Sequence, residues 1–133
     1  TCHGTRGGVI DATLAVEEAS AESFDAVVLA GGPSVPDYFW KNQKLAEFVT
    51  AMSGAGKLLA AISLSTVVLA KAKLLEGREA TVYYLPEALD ELKNGGATYV
   101  NKNLVVVDNL VMAEGPGSAG SFADAIVTLL AAS

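Results

Sequence analysis

Cysteine is almost missing from this sequence. Cys2 stands alone among 133 residues, so no disulfide can form within the chain and no thiolate cluster can hold a metal. Histidine is as scarce, with His3 its single instance, and no metal site or cofactor is expected from ligand spacing. Positive charge is also short: nine Lys and Arg against fifteen Asp and Glu give a net charge of −6. With no basic patch in view, nucleic acid is not an expected partner. No apolar run reaches the ~18–20 residues of a membrane span, and the opening residues do not read as a signal peptide. The expectation is a cytoplasmic protein with no membrane partner.

What is present is apolar. Hydrophobic residues make up 51% of the chain and mean hydropathy is +0.38, enough to build a core and too much for a disordered tail. The runs Ala26-Val27-Val28-Leu29-Ala30 and Leu58-Leu59-Ala60-Ala61-Ile62 lack polar alternation. Each reads as a strand covered on both faces of a parallel sheet. Between them, residues 36–52 carry Phe39, Leu45, Phe48, Val49 and Met52 mostly at helical spacing, opened by Pro36 and closed before Gly54 and Gly56. Strand, helix and strand in this order make a βαβ unit with a right-handed crossover.

Further on, residues 66–75 read as a buried helix ended by Gly77, 80–84 as a third strand, and 86–92 as a short helix stopped by Gly95-Gly96. Tyr99-Val100, 104–107 and 110–113 are strand-like, with Asp108-Asn109 as a hairpin turn between the last two. Residues 118–130 read as a closing helix, and 9–14 as one arm of a hairpin. The fold class is α/β, one domain over 1–133 with a mainly parallel sheet.

Ligands of open parallel sheets bind beyond the carboxyl ends of the strands. Three loops qualify: Gly31-Gly32-Pro33-Ser34, Ser63-Leu64-Ser65-Thr66 and Glu114-Gly115-Pro116-Gly117. A serine at a sharp strand-to-helix turn has the geometry of a nucleophile elbow, with its hydroxyl beside free helix-start amides. The simpler reading makes Ser63 or Ser65 the cap of the following helix, and spacing alone favours it. The Gly31-Gly32 pair indicates only that backbone approaches something closely.

The run from Phe24 through Gly31-Gly32 resembles the strand and glycine turn of the ThiJ/PfpI superfamily. That superfamily includes PfpI-type intracellular proteases and the parkinsonism-associated deglycase, and is related to class I glutamine amidotransferases. The resemblance continues through Gly56-Lys57-Leu58-Leu59-Ala60-Ala61-Ile62, Leu74-Leu75-Glu76-Gly77-Arg78-Glu79-Ala80-Thr81, Asn94-Gly95-Gly96-Ala97-Thr98-Tyr99-Val100 and Gly115-Pro116-Gly117-Ser118. It implies a flavodoxin-like α/β/α sandwich.

The family places a cysteine nucleophile after the alanine-isoleucine pair, followed by a small residue and glycine. Here Ser63, Leu64 and Ser65 stand there. A serine hydroxyl is far less acidic than a thiol and needs a general base. Many relatives supply a histidine just before a proline, yet the matching segment reads Thr81-Val82-Tyr83-Tyr84-Leu85-Pro86. A further glutamate belongs to an opening strand-helix-strand that this chain does not contain, so the domain is expected to be N-terminally incomplete. By resemblance, backbone amides of Gly32 and Leu64 form the oxyanion hole. Gly31, Ser65, Tyr84 and Glu114 form the pocket rim, with Glu114 where many relatives carry arginine.

Cys2 and His3 are expected to have a surface or interface role away from the pocket. Trp40, with Tyr38 and Phe39, is expected to pack the first helix against the sheet or a partner, and Glu17, Glu18 and Glu22 to form a solvated face. The functional expectation is a protein with a degenerate elbow acting as a non-catalytic binding, regulatory or structural module. The alternative is a hydrolase of peptidase or amidase type using Ser63, its partners coming from a missing segment or a neighbouring subunit. An engineered cysteine replacement is a third reading, against which Leu64 and Ser65 stand. The strand at 26–30 would present an apolar open edge. A homo-oligomer, or a separate chain supplying the opening strand-helix-strand, is therefore the expected partner.

Overall fold

The computed structural model describes residues 2–3 and 9–132. Strand β1 (Cys2–His3) pairs antiparallel with β2 (Val9–Ile10), a hairpin shorter than the expected arm at 9–14. After it come β3 (Ala26–Leu29), α1 (Val35–Tyr38), α2 (Gln43–Gly54), β4 (Leu58–Ile62) and α3 (Thr66–Lys71). The chain then runs through β5 (Glu79–Ala80), α4 (Pro86–Asn94), β6 (Thr98–Tyr99), β7 (Leu104–Val107), β8 (Leu110–Ala113) and α5 (Ala119–Ala132). The main sheet has the order β3-β4-β8-β7, parallel except for the β7–β8 hairpin. A small parallel pair, β5 and β6, stands apart.

The unbroken apolar run of β4 follows from burial on both faces, whereas β3, expected to be covered in the same way, leaves Val28 exposed. Leu59 and Ala61 of β4 join a core with Val49 and Met52 of α2, Val67 and Leu69 of α3, and Leu92 of α4. Their neighbours Leu58 and Ala60 point the other way, onto Phe122 of α5. Alternate residues thus serve two cores, so no polar position is left in β4. Helices α1 to α4 lie on one face and α5 on the other, which makes three layers.

Four expectations need correction. The single helix at 36–52 is two helices, because Asn42 restarts the chain: its Oδ1 accepts the Leu45 amide at 3.0 Å, an N-cap that replaces helical continuity. The helix at 66–75 stops at Lys71. Lys73 takes φ +65° and the Leu74 amide donates back to the Leu69 carbonyl at 3.0 Å, a Schellman closure made without the usual glycine. The strand at 80–84 ends at Ala80, its pairing with β6 lasting two residues. The open strand is Ala26–Leu29 rather than 26–30; among the described residues it pairs only with β4, and Val28 is 51% exposed.

Phe39 and Trp40 pack against the larger core, whereas Tyr38 faces solvent, as do Glu17, Glu18 and Glu22. No helix among the described residues is long and apolar enough to cross a membrane.

Candidate functional site

The site begins where β4 stops. Ser63 follows Ile62 directly with φ +62°, a left-handed conformation that costs an L-residue about 1 kcal/mol. A short 3-10 turn, Ser63–Ser65, then feeds α3. Ser65 stands at the N-cap position of α3, but neither serine side chain makes a capping hydrogen bond, so the simpler reading holds for position alone. Instead the Ser65 hydroxyl donates to the Ala30 carbonyl, tying the start of α3 to the end of β3. Trp40 Nε1 donates to the Leu64 carbonyl at 2.9 Å, and the Tyr83 amide donates to the Ser63 carbonyl at 3.4 Å. The strained turn is therefore held from three directions.

The loop after β3 lies against it. A Cβ on Gly31 would stand 2.8 Å from Ser63 Cβ and 3.1 Å from the Ile62 carbonyl oxygen, so only glycine fits there without movement. Gly32 has φ +143°. The two loops enclose a cavity of about 650 Å³, within the range of small-molecule sites. Gly31, Gly32 and Pro33 line it together with Ile62, Ser63 and Leu64, and with Tyr83 and Pro116. None of these residues is a carboxylate, an amine or a histidine, and the phenol of Tyr83 is their one titratable group.

A second chamber of about 300 Å³ adjoins it, sharing Tyr83 and Pro116 and adding Asn103, Glu114 and Gly115. Their adjacency follows from register. Strands β4 and β8 are parallel with Ile62 opposite Ala113, so Ser63 and Glu114 leave neighbouring strands at one level.

Gly31, Gly32, Ser63 and Leu64 are brought together as the sequence suggests, and Glu114 occupies the adjoining chamber. Two rim residues are elsewhere. Ser65 is fully buried beneath the turn, its hydroxyl engaged with Ala30. Tyr84 is 66% exposed and meets Tyr99 edge-on at 6.3 Å; Tyr83 takes the position at the cavity. The exchange follows from the early end of β5, after which the chain no longer alternates faces as a strand would. Tyr83 and Trp40 carry no sequence signal for their roles, whereas Pro33 and Pro116 lie inside loops that strand-end logic had already selected.

Two buried hydroxyls near the site, of Thr66 and Tyr99, have no hydrogen-bond partner. Burial pushes the Tyr99 phenol above its usual pKa, with the Glu114 carboxylate and then Tyr84 adding to the rise. Among the described residues no group of three or more His, Cys, Asp or Glu is placed to hold a metal ion. Cys2 and His3 belong to the hairpin strand, and their side chains lie outside the described residues.

Comparison with known proteins places this geometry. The chain is 39% identical over 121 residues to an uncharacterized protein of Methanocaldococcus jannaschii, a match covering 91% of this chain and 59% of that protein. It is 34% identical over 127 residues to a deglycase of Pyrococcus abyssi, covering 96% of this chain and 75% of the deglycase. The chain thus spans only part of the length of these relatives. The crystal structure of a ThiJ/PfpI domain protein from Brachyspira murdochii superposes with TM-score 0.92 at 30% identity, over 98% of this chain and 74% of that one. The fold is accordingly the flavodoxin-like sandwich. The model of the DJ-1/PfpI family matches residues 1–129, and the chain belongs to that family.

Proposed function

We propose that this chain is a small-molecule binding module, regulatory or structural in role, that keeps the family's cavity without its cysteine chemistry. One observation carries the reading: Ser63 occupies the position that resembles the family nucleophile, in a cavity whose lining offers no histidine, carboxylate or amine to act as its base. A hydroxyl without a base stays protonated at neutral pH and is a poor nucleophile. Methylglyoxal consumption by the purified protein is the test, since several relatives are named deglycases. Turnover at background, unchanged by Ser63→Ala, is expected; clear turnover abolished by that substitution overturns the reading.

A second reading is favoured by the Ser63 backbone. A left-handed serine at a strand-to-helix turn is what a nucleophile elbow needs. A hydrolase of peptidase or amidase type would then draw its base from a segment beyond the described residues or from a neighbouring subunit. A fluorophosphonate probe separates the two. Labelling that is lost in Ser63→Ala supports the hydrolase, and no labelling supports the binding module.

We also propose that a strand-helix-strand segment from a separate polypeptide completes the sheet at β3. One feature supports it: Val28 is exposed on an edge that, among the described residues, pairs only with β4. Crossover handedness agrees. The β3-α2-β4 unit places α2 on one face, so a crossover running outward from a strand beside β3 falls on the other. There α5 packs against β4, β8 and β7 and leaves Val28 uncovered. Denaturing and native mass spectrometry of the folded sample test it. A second, smaller species in complex is expected. A lone monomer of 13.6 kDa, or a dimer of identical chains, overturns it.

A further inference from the structure

Across both chambers of the site one side chain carries a charge. Glu114 lines the smaller chamber, and neither lining contains a lysine or an arginine. The ion pairs of the described residues lie elsewhere, between Lys57 and Asp25, Lys71 and Glu91, and Arg78 and Asp108. Lys102, which precedes Asn103 of the chamber wall, forms none of these pairs. Glu114 is partly buried and still has no cationic partner among the described residues. A carboxylate on a cavity wall with no cation beside it attracts a group of opposite charge.

Its surroundings suit a cation. The Tyr83 ring belongs to both chambers and lies beside the neighbour of Glu114, with Tyr83 Cδ2 3.7 Å from where a Cβ on Gly115 would be. An aromatic face next to a carboxylate attracts a guanidinium or an ammonium by two separate interactions. The Tyr99 hydroxyl, buried and without a partner, lies within the field of the same carboxylate.

We propose that the Glu114 chamber is a cation subsite of the Ser63 cavity. It would take the guanidinium or ammonium group of a small ligand whose polar carbonyl end lies at Ser63. The inference rests on the reading of that cavity as a ligand site and adds the charge of the ligand. The level arrangement of Ser63 and Glu114 on adjacent parallel strands fits a molecule with its carbonyl and its cation a few bonds apart, as in amides of arginine or lysine.

The experiment uses Nα-acetyl-arginine amide and its neutral isostere Nα-acetyl-citrulline amide. Both are titrated against the intact protein, with the Ser63 amide resonance as reporter. The arginine compound is expected to bind about 10-fold more tightly, with the margin shrinking as salt is raised. Glu114→Gln should remove the margin by weakening the arginine compound, with the dispersed amide spectrum of the variant showing that it is folded. Equal affinity for the two amides, with Ser63 still reporting binding, overturns the cation subsite and leaves the cavity reading intact. A margin that survives Glu114→Gln likewise overturns it. Failure of both amides to shift Ser63 overturns the subsite and the cavity reading together.

Discussion

Gly31 and Ser63 lie so close across the mouth of the sheet that a methyl group on the glycine would meet Ser63 Cβ at 2.8 Å. The loop after β3 and the turn after β4 therefore have one relative placement, and the cavity wall depends on it. Gly31→Ala is expected to destabilise the protein by about 1–3 kcal/mol, the range for forcing a methyl into a packed site. Urea unfolding measures the loss. An alanine variant as stable as the parent would show that the loops move apart freely.

The strain at Ser63 makes a separate prediction. Glycine accepts φ +62° at no steric cost, while alanine carries the same Cβ penalty as serine. Ser63→Gly should thus be more stable than Ser63→Ala by about 1 kcal/mol. The reverse order in chemical denaturation would mean that the turn relaxes to an ordinary conformation.

Trp40 is expected to stabilise the same turn through its indole N–H. Trp40→Phe keeps most of the ring and removes the donor to the Leu64 carbonyl. A loss of about 1 kcal/mol is expected for that hydrogen bond. Hydrogen exchange should also quicken at Leu64 and Ser65 more than at the core strand Leu58–Ile62, which identifies the turn as the place affected.

Tyr99 is expected to give the protein an alkaline sensitivity. Its folded pKa is raised, by burial first and then by Glu114 and Tyr84. Below the unfolded tyrosine pKa of about 10 the phenol is neutral in both states and the stability is fully present. Above that pH the unfolded chain releases the proton while the folded chain holds it, so stability falls as pH rises through the folded pKa. Tyr99→Phe should flatten the decline above pH ~10 in thermal melts taken at successive pH values. An unchanged slope would assign the alkaline loss to other groups.

Much of the frame was legible beforehand, for one physical reason: burial on both faces forbids polar residues. Leu58 to Ile62 could hardly have read otherwise, whereas Val28 is apolar although half-exposed; the loops that follow both strands are candidate sites by strand-end logic alone. The Asp108-Asn109 turn was equally plain. The breaks were less so. Asn42 ends one helix and begins another through a single side-chain bond to Leu45, inside a stretch whose apolar spacing reads as continuous. Lys73 closes α3 in a conformation that sequence reading reserves for glycine.

The sequence by itself determined the parallel sheet, the family resemblance and the absence of a thiol at position 63, because these depend on composition, order and residue identity. Only the tertiary structure decided which tyrosine faces the cavity, since Tyr83 and Tyr84 differ by one position on a segment that stops being a strand after Ala80. It alone showed that the Ser65 hydroxyl serves Ala30 instead of capping a helix, across 35 positions of chain. It also set Glu114 level with Ser63, a relation fixed by the register of β4 against β8. Pairings between residues distant in sequence are settled by sheet register and close packing, and no local pattern encodes them.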